Sequence, residues 1–482
     1  MRSGHFSSME ISFIGVLILV AAAWFFLFSP RLLYAALIVS IPFSATAVVN
    51  FPWGGEAYGG AEKDIMAWQL FAVLWVLREA ISGIPQWHRL GWFRTRCARV
   101  RLLVFLAALA ASLAVPLLLN GTAWVSSWAN SLFYRGPAEI PLRFTLFNVT
   151  QSAYMVFGVG FAIFIAADNW CPERLLYTLK LYVSSCVFAA AWGLFQLWCN
   201  VAGYTYAANI FNTGKNLSAL GYTETLGTGN LAMIGRISSV ATEPSVLAEE
   251  LLIAFIVLMV CLGLRRPILR RGWNWFAVVL IGVVLFASTS TTAYAGMFAA
   301  PLLSAVALAL AGSRRWKHYV AAITIVLGVG VLLVTCLPLG NRIFQAAIML
   351  KYVNGSGLTR LESVRIAAQD FLRYPILGAG WGAVTSWDLL FLLLANTGLI
   401  GALALGSFLV PVIRRLWRLT VQKNLIAVVL LPTLALALLL AEGDGLAYGI
   451  GYYWFVFGLA AGASAAAKLD AKQTASWGTI AR

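Results

Sequence analysis

Charge is what this sequence lacks most. Only 11% of its 482 residues are Asp, Glu, Lys or Arg, and 61% are hydrophobic; ordinary globular chains carry about 25% and about 45–50%. That balance excludes a soluble multidomain protein and indicates a chain that crosses a membrane many times. Cysteine is sparse and scattered: Cys97, Cys171, Cys186, Cys199, Cys261 and Cys336 form no CxxC pair. Neither a disulfide framework nor a zinc site is indicated. Internal repeats, low-complexity tracts and a stretch able to fold as a soluble domain are also missing.

What charge there is has one sign in four places. Arg89, Arg94, Arg96, Arg99 and Arg101 form the first cluster, then Arg265, Arg266, Arg270 and Arg271, then Arg314, Arg315 and Lys317, then Arg414, Arg415, Arg418 and Lys423, with no acid among them. Short acid-free basic loops between apolar runs lie on the cytoplasmic side. The net charge of +16 therefore sets orientation. It offers no surface for nucleic acid, which we do not expect as a partner.

Runs apolar enough for a span of roughly 20 residues occur near 11–29, 32–50, 65–83, 102–120, 151–169, 175–199, 244–264, 275–289, 293–312, 319–338, 388–412, 424–441 and 446–467. The expected fold is an all-α polytopic membrane protein, one domain over 1–482, with about thirteen transmembrane helices and a range of twelve to fourteen. The first run reads as a retained span rather than a cleaved signal. Breaks are expected at Ser29-Pro30-Arg31 and at Ser288-Thr289-Ser290-Thr291-Thr292. Alternation from the basic clusters puts the C-terminus inside, the N-terminus outside, and two large loops, 200–243 and 339–387, on the outer face. Loops of that length are commonly functional, and these two are expected to form the active site.

The second loop predicts a helix near 359–373, with Leu361, Val364, Ala368, Phe371 and Leu372 on one stripe and Arg360 and Arg365 on its borders. Such a helix suits the plane of the membrane surface. Guanidinium at that depth suits a diphosphate, whose oxygens its planar fork grips in pairs; the plainer role is snorkelling to lipid phosphates. Pro375 closes the helix before Gly378, Gly380 and Gly382. The first loop ends in Arg236 and Glu243-Pro244-Ser245. Pro244 fits the first helical position, leaving Glu243 extended at a helix N-terminus. There it either complements the dipole or takes a proton from an acceptor hydroxyl. Glu249 and Glu250 follow about 9–10 Å further down that helix, where acids must face a cavity or a partner. Asp388 is a second candidate base, at the outer start of its span.

These residues resemble the O-antigen polymerase and ligase superfamily of membrane glycosyltransferases. The likeness is carried by Arg236 to Ser245, by the Ser288 to Gly296 break, and by Arg360 through Pro375-Ile376-Leu377-Gly378-Ala379-Gly380-Trp381-Gly382 to Thr397-Gly398-Leu399-Ile400-Gly401. The resemblance implies an undecaprenyl-pyrophosphate-linked oligosaccharide as donor and a lipid-linked acceptor. It also implies an inverting, metal-independent transfer without cofactors, at the periplasmic face of a bacterial inner membrane, with a chain-length regulator as a further partner beside membrane lipid. By position it makes Arg236 and Arg360 the diphosphate-binding arginines and Glu243 the motif acid; Arg365 joins them on helical geometry alone. The ligase branch carries an external histidine where this chain reads Thr385-Ser386-Trp387-Asp388, and His5, His88 and His318 are terminal or cytoplasmic. The polymerase branch is therefore preferred over the ligase. A lipid-linked-glycan transporter, and a metal-dependent transferase built on the acid pairs Glu62/Asp64 and Glu442/Asp444, are the other readings.

Overall fold

The computed structural model describes residues 10–52, 62–81, 95–126, 139–215, 235–336, 341, 355–445 and 447–466. His5, His88, Arg89, Arg94, Trp128, Phe133, Tyr134, Tyr222 and the whole 216–234 part of loop 200–243 lie outside them. The chain is predominantly helical and divides into two compact units, Met1–Gln86 with Glu173–Ala305 and Gln473–Arg482, and Trp87–Pro172 with Val306–Lys472.

The first unit holds α1 (Phe13–Phe28), α2 (Pro30–Ser40), α3 (Ala67–Ile81), nearly all of α6 (Pro172–Ala202), α7 (Pro244–Gly263), α8 (Arg271–Ala287) and most of α9 (Thr291–Leu310). The second holds α4 (Arg96–Leu118), α5 (Leu146–Asp168), α10 (Trp316–Cys336), α11 (Gly355–Arg373), α12 (Leu389–Val421), α13 (Leu425–Ala441) and α14 (Gly451–Ala466). Among the described residues α4, α5, α6, α7, α9 and α12 are long and apolar enough to cross a membrane; α1, α2, α8 and α13 are apolar but shorter. The breaks fall where the sequence placed them, at Ser29-Pro30 and between Ala287 and Thr291.

The run read as a span over 32–50 differs. Its helix stops at Ser40, and Ala47–Pro52 is instead strand β2, paired antiparallel with β1 (Glu10–Ile11) and β3 (Glu62–Met66). Eleven helical residues rise only about 16 Å, and the β-branched pair Val48-Val49 before Pro52 favours extended backbone. A second small sheet, β4 (Trp124–Ser126) with β5 (Glu139–Pro141), accompanies the helices of the second unit. The architecture is that of the expected all-α membrane protein, with two small open sheets beside the helices.

Helices of the second unit meet through small residues. A Cβ on Gly458 or Gly462 of α14 would come within 2.7 or 2.8 Å of the carbonyl oxygens of Ala162 and Ala166 on α5. That GxxxG spacing lets backbones touch, the packing mode available when apolar burial cannot distinguish protein from lipid.

Candidate functional site

Each unit contains one assembly of the residues singled out from sequence. In the first unit, the segment Gly235 to Thr242 has no regular structure, so its backbone groups need other partners. α6 supplies them: Gln196 Oε1 accepts from Ser238 N at 3.0 Å and Ser239 N at 2.7 Å, its amide donates to Arg236 O, and Asn200 Nδ2 donates to Gly235 O. Tyr206 Oη donates to Ser239 O at 3.0 Å and itself accepts from Trp192 Nε1 at 2.7 Å. Ile237, Ser238, Ser239, Val240 and Ala241 are all fully buried. This threading presents Arg236, half-buried, within electrostatic reach of the Tyr294 phenol on α9. Tyr294 belongs to the second segment of the resemblance, and Gly296, two residues along, packs on Leu252 of α7.

Glu243 is the N-cap of α7 by backbone, with φ −140° and ψ 158°, and Pro244 follows at the first helical position. Its carboxylate makes no capping bond. It accepts instead from Ser245 Oγ at 3.0 Å, and is half-buried. The carboxylate thus stands at the helix N-terminus without bonding its free amides. Glu249 and Glu250 are enclosed by protein on α7, and Tyr182 of α6 donates its hydroxyl to the Glu250 carbonyl.

In the second unit the segments Pro375 to Gly382 and Thr397 to Gly401 form a lock. Gly398 leaves helical geometry inside α12, with φ 62° and ψ −166°, which frees carbonyls and amides around it. The glycine turn takes them up: Ala379 N donates to Ala395 O at 2.8 Å, Gly380 N to Asn396 O at 3.0 Å, and Leu399 N to Pro375 O at 2.9 Å. Only glycine fits at Gly398 and Gly378, where a Cβ would meet Ile376 O at 2.2 Å and the Asn396 carbonyl carbon at 2.3 Å. The sequence likeness in these two segments is thus one joint made from both.

α11 packs on that joint. Ser363, Ile366, Ala367 and Asp370 face protein, while Leu361 and Leu372 of the stripe predicted from sequence are 68% and 76% exposed. An apolar outward face fits a helix lying at a membrane surface. The inner face is held by polar bonds as well as by Ala367, Ala379, Ala395, Val125 and Leu142. Asp370 accepts from Ser126 N and Ser126 Oγ, each at 3.0 Å, and Arg373 pairs with Glu139, tying α11 to both strands of the β4–β5 hairpin. Burial pushes the Asp370 carboxyl above the ordinary carboxylate range against the pull of the Ser126 bonds and Arg373.

The two arginines of α11 go different ways. Arg365 is exposed and bridges Glu362 one turn back through Nε at 3.0 Å and Nη2 at 2.8 Å. Arg360 is half-buried; its guanidinium carbon lies 5.1 Å from the Trp387 ring centre and Nη1 donates to Gly443 O at 3.3 Å. It has no carboxylate partner among the described residues. Ser363 Oγ fixes the neighbourhood, donating to Arg360 O and accepting from Trp387 N. Asp388, the next residue, caps α12 by accepting from Phe391 N at 2.8 Å.

Beside Asp388 stands Glu442, which sequence reading placed with Asp444 as a metal candidate. The Glu442 carboxyl lies within hydrogen-bond reach of the Asp388 carboxyl and accepts from Leu390 N at 3.2 Å. Burial, then the Asp388 charge, push it above the ordinary carboxylate range. Topology held the missed signal: antiparallel α12 and α13 are joined by a short loop, so the start of one lies beside the end of the other. Arg360, Trp387, Asp388 and Glu442 together have the chemistry to hold an anion and move a proton. No family model matches the chain, and no curated protein matches it.

Proposed function

We propose that this chain is a multi-pass membrane glycosyltransferase of the polymerase type. It transfers a glycan from an undecaprenyl-pyrophosphate carrier onto a lipid-linked repeat unit at the periplasmic face of a bacterial inner membrane. About thirteen spans and outward-facing loops belong to this reading. The observation that carries it is Arg360, a guanidinium kept at the surface over Trp387, with no carboxylate partner among the described residues and an acid, Asp388, at a helix N-terminus alongside.

The chemistry asks for little more. The donor already contains its leaving group, so the protein must place positive charge on the departing diphosphate oxygens and accept the proton of the attacking hydroxyl. Arg360 supplies the first and Asp388 the second. Two lipid diphosphates take part, one on the donor and one on the acceptor, and each compact unit carries one arginine and one acid at a helix N-terminus: Arg236 with Glu243, and Arg360 with Asp388. The exposed leucines of α11 support a place at the lipid surface, where both substrates are anchored.

A transporter of lipid-linked glycan is the second reading, favoured by Glu249 and Glu250 enclosed within α7. The cell-envelope glycan of a deletion strain tests both. Polymerase activity requires the polymer ladder to collapse to a single repeat. Polymer piling up on its lipid carrier would mean ligase, and single repeat units trapped on the cytoplasmic side would mean transporter.

A further inference from the structure

We infer that Asp388 and Glu442 act as one unit sharing a single proton, with Glu442 a positioning residue that holds the proton while Asp388 accepts that of the attacking hydroxyl. The inference rests on the function proposed above and adds Glu442 to it.

Both carboxyls point at the first turn of α12, one bonded to Phe391 N and the other to Leu390 N, and they lie within hydrogen-bond reach of each other. A helix N-terminus stabilises about half a unit of negative charge; two full charges at contact distance repel, so one proton between them is the favoured state. Arg360, on the neighbouring α11, donates to Gly443 O and lies over Trp387, and neither carboxyl of the pair is its hydrogen-bond partner. Around the pair stand Arg360 of α11, Asp444 in the same loop, and Tyr453 of α14, whose phenol feels the Glu442 charge. Asp388 caps its own helix through Phe391 N. Glu442 comes from the end of α13, and burial together with the Asp388 charge raises its affinity for a proton.

The step balances. The anomeric carbon–oxygen bond to the diphosphate breaks and its electron pair leaves with the diphosphate. A new bond forms from the anomeric carbon to the acceptor oxygen, whose proton passes to the Asp388 carboxylate. The pair then carries two protons and returns one to water.

Infrared difference spectra of the purified full-length chain test the shared proton without any substrate. At neutral pH, Glu442→Gln and Asp388→Asn are each expected to erase the same protonated-carboxyl carbonyl band, because removing either partner ends the sharing. A band that survives either substitution overturns the inference. The positioning role is read from chain extension in membrane vesicles supplied with the lipid-linked repeat unit that accumulates in the deletion strain. Wild type should lose rate on both acid and alkaline sides, Glu442→Gln should lose the alkaline limb, and Asp388→Asn should fall at least about 100-fold at every pH. A Glu442→Gln profile that superimposes on wild type overturns the positioning role. Failure of wild type to extend any chain would remove the glycan reading and leave the infrared result to decide the shared proton.

Discussion

The two arginine–acid assemblies are built in opposite ways. Around Arg236 the backbone itself is the buried object: five consecutive residues are sealed from solvent and stitched to α6 by Gln196, Asn200 and Tyr206. Around Arg360 the backbone is regular helix, and side chains at the rim hold the geometry through a carbonyl, an indole face and a carboxyl pair. The first design fixes an arginine at the cost of leaving no slack, because buried amides without acceptors are expensive. The second leaves its groups accessible and titratable.

Substitutions can break that contrast. The largest effect should come from Gln196→Leu, which strips the acceptor from two buried amides; at about 1–3 kcal/mol each, the unfolding midpoint of the purified protein should drop steeply. An unchanged midpoint would mean the Arg236 segment is not held as described. Next is Arg360→Ala, expected to cut chain extension about 10²–10³-fold with the midpoint unaltered, since its partners are one long hydrogen bond and a ring face. Loss of fold instead would make Arg360 structural and reverse the comparison. A smaller, pH-dependent effect is expected at Asp370. Its folded-state proton affinity is raised above the unfolded value of about 3.9, so its contribution to stability is present at low pH and lost as pH rises through that window. Asp370→Asn should flatten the dependence of the midpoint on acid pH. Smallest is Arg365→Ala, whose exposed guanidinium is already paired with Glu362; extension should stay within about twofold of wild type. A loss as large as that of Arg360→Ala would show that both borders of α11 serve the substrate.

Much of the fold was legible because hydropathy and helix breakers act locally. Pro30 and the Ser288–Thr292 run parted helices as expected, and Pro375 stopped α11. Residues 41–52 were misread because a buried strand and a span look alike in hydropathy, and only Val48-Val49 between Pro42 and Pro52 distinguishes them. The break at Gly398 was hidden inside a continuous apolar run for the same reason. In the site, the arginines and Asp388 could be nominated from charge placed on outer loops. Their partners could only in part. That Arg365 would be taken up by Glu362 follows from their i,i+3 spacing on one helix, but that Asp388 would meet Glu442 depends on which helix faces pack together, and those faces are set by small residues such as Ala367 and Ala395 whose periodicity is weak.

The joint between Gly378 and Gly398 has a mechanical corollary. The turn fastens both pieces of α12 at once, bonding Ala395 O and Asn396 O of the stretch Leu389–Thr397 and Leu399 N and Ile400 N of the long stretch that follows. One short segment therefore bears the load of both, and a bulkier residue at Gly378 or Gly398 should loosen the Asp388 end of the helix and the long stretch together.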